Sequence, residues 1–157
     1  MRILWLSHLV PYPPTGLGVL QRSHNLLNEL VRVGDVFLFA FVQRDVVREL
    51  LGDVDVGIEE ARTHLSISCR DVRFVLIPSE LRTFGQAKLA FRSLLRADPY
   101  TIDWLRSQNA RAILGEWNER LTSPIVRFDT LSRAPYKQLF PARITTVEHH
   151  NVESQMM

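Results

Sequence analysis

The sequence predicts an α/β fold: a doubly wound, mostly parallel sheet with helices on both faces. Three observations carry that expectation. Runs such as RILWLSH (2–8) and DVFLFAFV (35–42) are apolar at consecutive positions, as strands buried on both faces must be. Segments with apolar residues at helical spacing separate those runs. The resulting order is strand, helix, strand, helix, strand, helix, strand, strand, the pattern of βαβ units whose crossovers make neighbouring strands parallel.

Each element has its own signal. Residues 2–8 form the first strand. LVPYPPTGLG (9–18) is dense in proline and glycine and predicts a loop. Leu20, Leu27, Leu30 and Val31 then recur at helical spacing, and Gly34 supplies a stop. DVFLFAFV (35–42) is the second strand. Residues 43–51 predict a short helix, and residues around 58–68 another. DVRFVLIP (71–78) is a third strand, ended by Pro78. FGQAKLAFRSLLR (84–96) has the periodicity of an amphipathic helix, and TIDWLRSQNARAILGEWNERL (101–121) is one broken helix or two. PIVRFD (124–129) and ARITTVEH (142–149) are further strands, with a turn or short helix near RAPYKQLF.

Composition narrows the functional classes. With 46% hydrophobic and 23% charged residues the 157-residue chain is globular in composition, and its length suits one domain, residues 1–157. Nineteen basic residues nearly cancel seventeen acidic ones, a net charge of +2, so no basic field argues for nucleic acid. The only lysines are Lys88 and Lys137; arginine supplies the rest of the positive charge, which reads as a codon or lineage bias, with a set of planar forks for phosphate as the competing reading. Cys69 is the only cysteine, so there is no internal disulfide and no cysteine-based metal site, and a reducing cytoplasm fits. The first apolar run is too short to span a membrane and lacks the small-residue cleavage site of a secretory signal.

In parallel α/β sheets ligands bind outside the carboxyl ends of the strands. That rule puts PPTGLG and EHHN beside one crevice. Gly16 and Gly18 allow the backbone to approach a ligand, and the helix behind them points free N–H groups at an anion such as a phosphate. Arg22, at the start of that helix, adds a charge-assisted contact. A tight turn that needs glycine is the competing reading of the same pair. The segment is neither G-x-G-x-x-G, because Gln21 stands at the third glycine position, nor a Walker motif. At the other end, His149 and His150 point to opposite faces while the strand lasts, so at most one imidazole enters the crevice. Asn151 is a good helix N-cap, and a plain strand-to-helix junction is the competing reading there. Lys88, Arg92 and Arg96 make a basic stripe on the helix 84–96; such a stripe is most often a solvated face, and a basic amphipathic helix can also lie on an anionic membrane surface. Glu60 and His64 sit one helical turn apart with no third ligand, so no metal is expected there. Trp5, Trp104 and Trp117 are scattered and read as core or groove wall.

Three longer segments share a resemblance. MRILWLSHLVPYPPTGLGVLQRSHNLLNEL (1–30) resembles the opening of family 4 glycosyltransferases with the GT-B fold. FDTLSRAPY (128–136) and TTVEHHNVES (145–154) are similar to two later landmarks of the same amino-terminal domain. The nearest likeness is to the bacterial exopolysaccharide branch, including sugar transferases of the PEP-CTERM/exosortase type. Order and spacing agree along the chain, while residues 43–120 match loosely.

The resemblance implies a Rossmann-like, acceptor-side domain of a retaining, nucleotide-sugar-dependent enzyme. Such an enzyme moves a hexose from a nucleoside-diphosphate sugar, its co-substrate, onto a lipid-linked or saccharide acceptor. It implies that Gly16 and Gly18 lie near the donor diphosphate and that His150 touches the donor sugar. Glu148 matches a usual polar position, and Leu17 separates glycines that are often consecutive in the family. The family's nucleotide pocket lies in a carboxyl-terminal domain that this chain lacks, which predicts a truncated, inactive half. The resulting expectations are catalytic His150, donor- or phosphate-binding Gly16, Gly18 and Arg22, and site-shaping Glu148 and Asn151. No cofactor, metal or nucleic acid is expected, and the location is the cytoplasm or the cytoplasmic membrane face. The alternative is a stand-alone, non-catalytic α/β module for a phosphate-bearing small molecule or a partner protein.

Overall fold

A computed structural model of the chain describes residues 1–15, 17–77, 105–122, 124–129, 134–141 and 143–148, with Ala134 and Pro135 by backbone only. The helix expected over 84–96, with Lys88, Arg92 and Arg96, lies outside these residues. So do Gly16, His149, His150 and Asn151.

Five strands form one sheet: β1 (Arg2–Ser7), β2 (Asp35–Val42), β3 (Asp71–Leu76), β4 (Ile125–Phe128) and β5 (Thr145–Val147). Their order is β3-β2-β1-β4-β5, and every neighbouring pair is parallel. The chain starts in the middle of the sheet, winds outward through β2 to β3, crosses back beside β1 as β4, and ends at β5. The strand order therefore reverses between β1 and β4, the point at whose carboxyl edge such folds bind ligands.

The alternation of side chains along each strand supplies two cores. Leu4, Leu6, Phe39, Phe41, Val75, Val126 and Phe128 face one side. There they pack against helix α4 (Gln108–Arg120) through Ala110, Leu114 and Trp117, and against Tyr136 of the short α5 (Ala134–Lys137). Ile3, Trp5, Val36, Leu38, Ala40 and Val42 face the other side. They meet Leu27 of α1 (Gly18–Val33), Val47 of α2 (Arg44–Leu51), and Ala61 and Leu65 of α3 (Val54–Leu65). Helices on both faces explain why the strands read as unbroken apolar runs. The molecule is a Rossmann-like α/β fold with an all-parallel sheet. Among the described residues no helix is long and apolar enough to cross a membrane.

Three local departures from the sequence reading have physical causes. Helix α3 begins four residues earlier than the period suggested, because the Asp53 carboxylate caps it, accepting from the Asp55 and Val56 amides at 2.9 Å each. Strand β5 is only three residues long, since ladder pairing with β4 runs from Thr145 to Val147. Gly34 ends α1 in extended backbone rather than in the left-handed region. Glycine is needed there for space: a Cβ would lie 2.3 Å from the Met1 carbonyl oxygen.

Two polar ties bind α4 into the fold. Ser107 caps its start, accepting from the Ala110 amide at 3.2 Å, and the Tyr136 hydroxyl donates to the Leu105 carbonyl at 2.6 Å. At its far end the Arg143 guanidinium reaches the carbonyls of Asn118 and Leu121 at 3.4 Å each, satisfying acceptors a helix end leaves open.

Candidate functional site

The carboxyl edge at the reversal point carries polar residues at or just after the strand ends. Ser7 ends β1 and His8 comes next; Asp129 follows β4; Glu148 follows β5. Asp129 and Glu148 each follow the last residue of their strands, Phe128 and Val147, so their side chains emerge at the carboxyl edge.

Asp129 is fully buried, which a carboxylate tolerates only with donors around it. Trp5, on the same face of the sheet, donates its indole N–H to Oδ1. The Ser7 hydroxyl lies 2.9 Å from Oδ2 and 2.7 Å from the Leu9 carbonyl, so its single proton serves both acceptors. His8 Nδ1 stands 3.6 Å from the same Oδ2, an ion-pair distance that brings attraction once the imidazole is protonated. The main chain closes the arrangement: the Asp129 amide donates to the Leu6 carbonyl at 3.3 Å, and the Gln43 side chain donates to the His8 carbonyl at 3.3 Å.

One residue further out lies a second charged group. The Glu148 carboxylate bridges two guanidinium groups, Oε1 on Arg22 Nη2 from α1 and Oε2 on Arg127 Nη2 from β4. The Glu148 amide donates to the Phe128 carbonyl at 2.9 Å, which fixes the carboxylate's backbone beside β4. Arg127 and Glu148 are only about a fifth exposed, whereas Arg22 is half exposed. Burial lowers the proton affinity of Arg127; the Asp129 charge opposes that shift and the Arg22 charge adds to it. A groove of about 400 Å³ opens beside the bridge, bordered by Asn25, Asn28 and Glu29 along α1.

The loop between β1 and α1 is held from outside. The Tyr12 hydroxyl donates to Glu60 at 2.8 Å, and its ring lies 4.8 Å from that of His64, both on α3. The hydrogen bond to Glu60, with burial and the Glu60 charge behind it, raises the phenol's affinity for its proton. Glu60 and His64, one turn apart in the sequence, thus anchor this loop. Helix α1 starts at Gly18 with no side-chain cap and no acidic residue in its first turn, so its amino end stays electropositive. No described atom would lie within 4 Å of a Cβ on Gly18, so packing gives no reason for glycine there.

The structure thus brings Arg22 and Glu148 into direct contact from opposite ends of the chain, with Gly18 one turn before Arg22. Reading the sequence missed His8, Asp129 and Arg127. The signal for two of them was present: a lone polar residue directly after an apolar strand, at the edge where ligands bind. Arg127 carried no such signal, because an arginine inside PIVRFD looks like any strand residue that faces solvent. Cys69 is buried, and burial pushes its thiol up to about 12, unlike the lowered value of a reactive thiolate.

Chemically the edge offers two guanidinium forks, a bridging carboxylate, and an imidazole beside a buried carboxylate. These groups suit a ligand that carries both anionic oxygens and hydroxyls. No family model, no curated protein and no solved structure matches this chain.

Proposed function

We propose that this chain is the acceptor-side domain of a nucleotide-sugar-dependent glycosyltransferase. The observation that carries the reading is the position of the Arg22–Glu148–Arg127 cluster. It lies at the carboxyl edge of a parallel sheet whose strand order reverses beside it, next to an uncapped helix start. That is where an α/β fold accommodates a phosphate-bearing ligand. The likeness of residues 1–30, 128–136 and 145–154 to family 4 enzymes supplies the reaction class.

In this reading a hexose leaves a nucleoside-diphosphate donor for a hydroxyl of a lipid-linked or saccharide acceptor. The acceptor oxygen bonds to the anomeric carbon, and the bond from that carbon to the diphosphate oxygen breaks with its electrons. The acceptor proton ends on the departing diphosphate. Gly16, Gly18 and Arg22 face the diphosphate, His150 contacts the sugar, and Glu148 and Asn151 shape the turn that presents it. The base-binding pocket belongs to a second domain in enzymes of this kind, and the work is done at the cytoplasmic membrane face in polysaccharide assembly.

The test is transfer of labelled hexose from nucleoside-diphosphate hexoses to an extract of the native membrane, by an intact two-domain homologue and by its variant with alanine at the position of His150. Loss of one hydrogen-bonding group to the reacting sugar is expected to lower turnover by roughly a hundredfold. Unchanged turnover and donor affinity would sink the assignment of His150. The second reading, a binding module without catalysis, is favoured by the charged cluster being assembled within this chain alone.

A further inference from the structure

Arg127 uses only half of its fork. A guanidinium presents Nε–H and Nη2–H side by side, a pair that matches two oxygens of one anion. Glu148 occupies Nη2, while the Nε of Arg127 is buried with no hydrogen-bond acceptor among the described residues. The other Glu148 oxygen is committed to Arg22. Glu148 meets Arg127 through one oxygen and turns the other to Arg22, so in this arrangement the second prong of the Arg127 fork stays empty. A phosphoryl group has three terminal oxygens in a tetrahedral array. It can take both prongs of Arg127 and still reach Arg22.

A purely structural triad would not leave this mismatch. A buried donor without an acceptor costs on the order of 1–3 kcal/mol, and most folded proteins avoid it. Here the unused donor sits on the residue that faces the ligand edge. The nearby negative charge does not fill it either: Asp129 has Trp5 and Ser7 on its two oxygens.

We infer that Arg22 and Arg127 form an oxyanion site for a phosphoryl group, which the Glu148 carboxylate closes until the ligand displaces it. The site rests on the reading that a phosphate-bearing ligand enters this edge, and not on sugar transfer. Glu148 then acts as a gate: it prevents two guanidinium groups from facing each other unpaired, and it sets a threshold that only a better-matched anion overcomes. The phosphoryl group can come from a nucleoside diphosphate or from a phospholipid headgroup, which share this chemistry.

The experiment is calorimetric titration of the 157-residue chain with inorganic pyrophosphate, accompanied by the NMR resonance of the Arg127 Nε–H. Binding is expected in the wild type, with the Nε–H resonance moving as its acceptor arrives. Glu148→Gln is expected to tighten binding roughly tenfold, because the competing charge is gone. Arg127→Gln and Arg22→Gln are each expected to weaken it tenfold or more, as loss of a charge-assisted hydrogen bond does. Arg22 is half exposed, so its variant keeps the test valid should Arg127→Gln fail to fold. Competition then separates the sources: displacement by uridine diphosphate points to a nucleotide, and displacement by vesicles containing phosphatidate points to a lipid. Equal affinity in wild type, Glu148→Gln and Arg22→Gln would overturn the site. Pyrophosphate binding that neither phosphate ester displaces would overturn it too, as an adventitious ion only. Failure of sugar transfer in the assay above leaves these binding results intact, so the two readings fail separately.

Discussion

Asp129 shows how one residue can organise a site. Its carboxylate is fully buried, with the Trp5 indole, the Ser7 hydroxyl and the His8 imidazole on its oxygens. Each of these comes from β1 or the residue after it, whereas Asp129 follows β4, so the contacts fasten the two strands between which the sheet reverses. Asp129→Ala leaves the Trp5 indole N–H without its acceptor in a dry environment, while the Ser7 hydroxyl keeps the Leu9 carbonyl. A loss of about 1–3 kcal/mol is expected, the penalty for one such group. Urea unfolding checks it: the midpoint should fall while the slope with denaturant stays constant. A loss below about 0.5 kcal/mol would mean that water replaces the carboxylate and that the network is not structural. At this scale the sequence was half legible. A polar residue after an apolar run was visible in PIVRFD, but nothing in it told that Trp5, more than a hundred residues away, would turn its N–H toward that carboxylate.

At the level of elements, Gly34 illustrates how a right expectation can have a different cause. A glycine after an amphipathic stretch was expected to end α1, and it does. The usual reason is a left-handed residue, yet this backbone is extended and open to any side chain by its dihedral angles. What requires glycine is the Met1 carbonyl, which accepts from the Asp35 amide at 2.8 Å to start the β1–β2 ladder. Gly34→Ala must push that carbonyl away. A destabilisation of about 1–3 kcal/mol is expected, the range for inserting an atom into a packed site. Amide exchange locates it: protection should drop at Asp35 and its β1 neighbours first. Gly52 provides the contrast, since its φ of 82° lies in the left-handed region and no neighbour crowds it. There the strain belongs to the turn between α2 and α3 and not to packing.

At the scale of the whole molecule, Asp71 ties one edge of the sheet to the helix layer behind it. Its carboxylate takes the Arg120 guanidinium at 2.8 Å and the Trp117 indole at 3.3 Å from α4, and Arg73 at 3.1 Å from its own strand. Burial alone would raise its pKa, but the hydrogen bonds and charges of Arg120 and Arg73 outweigh it and leave the group below its ordinary value. A carboxyl whose pKa is depressed by folding binds its proton more readily when unfolded. Its contribution is therefore complete above about pH 4, the unfolded value, and is lost as pH falls through the lower folded value. Both arginines are almost half exposed, so solvent screens part of the effect. Asp71→Asn is expected to lower the melting temperature at pH 6 and to flatten its fall below pH 4. Parallel melting curves for both proteins between pH 2 and 6 would refute the tie.

The sequence by itself determined the fold class and the place of most elements. Periodicity is local: whether a run is buried on two faces or one is written in consecutive residues, and so are the glycine and proline breaks. It also placed Arg22 and Glu148 at one edge, because the strand-end rule needs only the order of elements. Only the tertiary structure decided that Arg127 shares Glu148 with Arg22, that Asp129 is buried beneath His8, and that Gly34 makes room for Met1. These facts depend on which strands become neighbours. A β3-β2-β1-β4-β5 order sets residues 2–7 beside 125–128, and 125–128 beside 145–147, pairings between segments distant in sequence that leave no mark in local pattern.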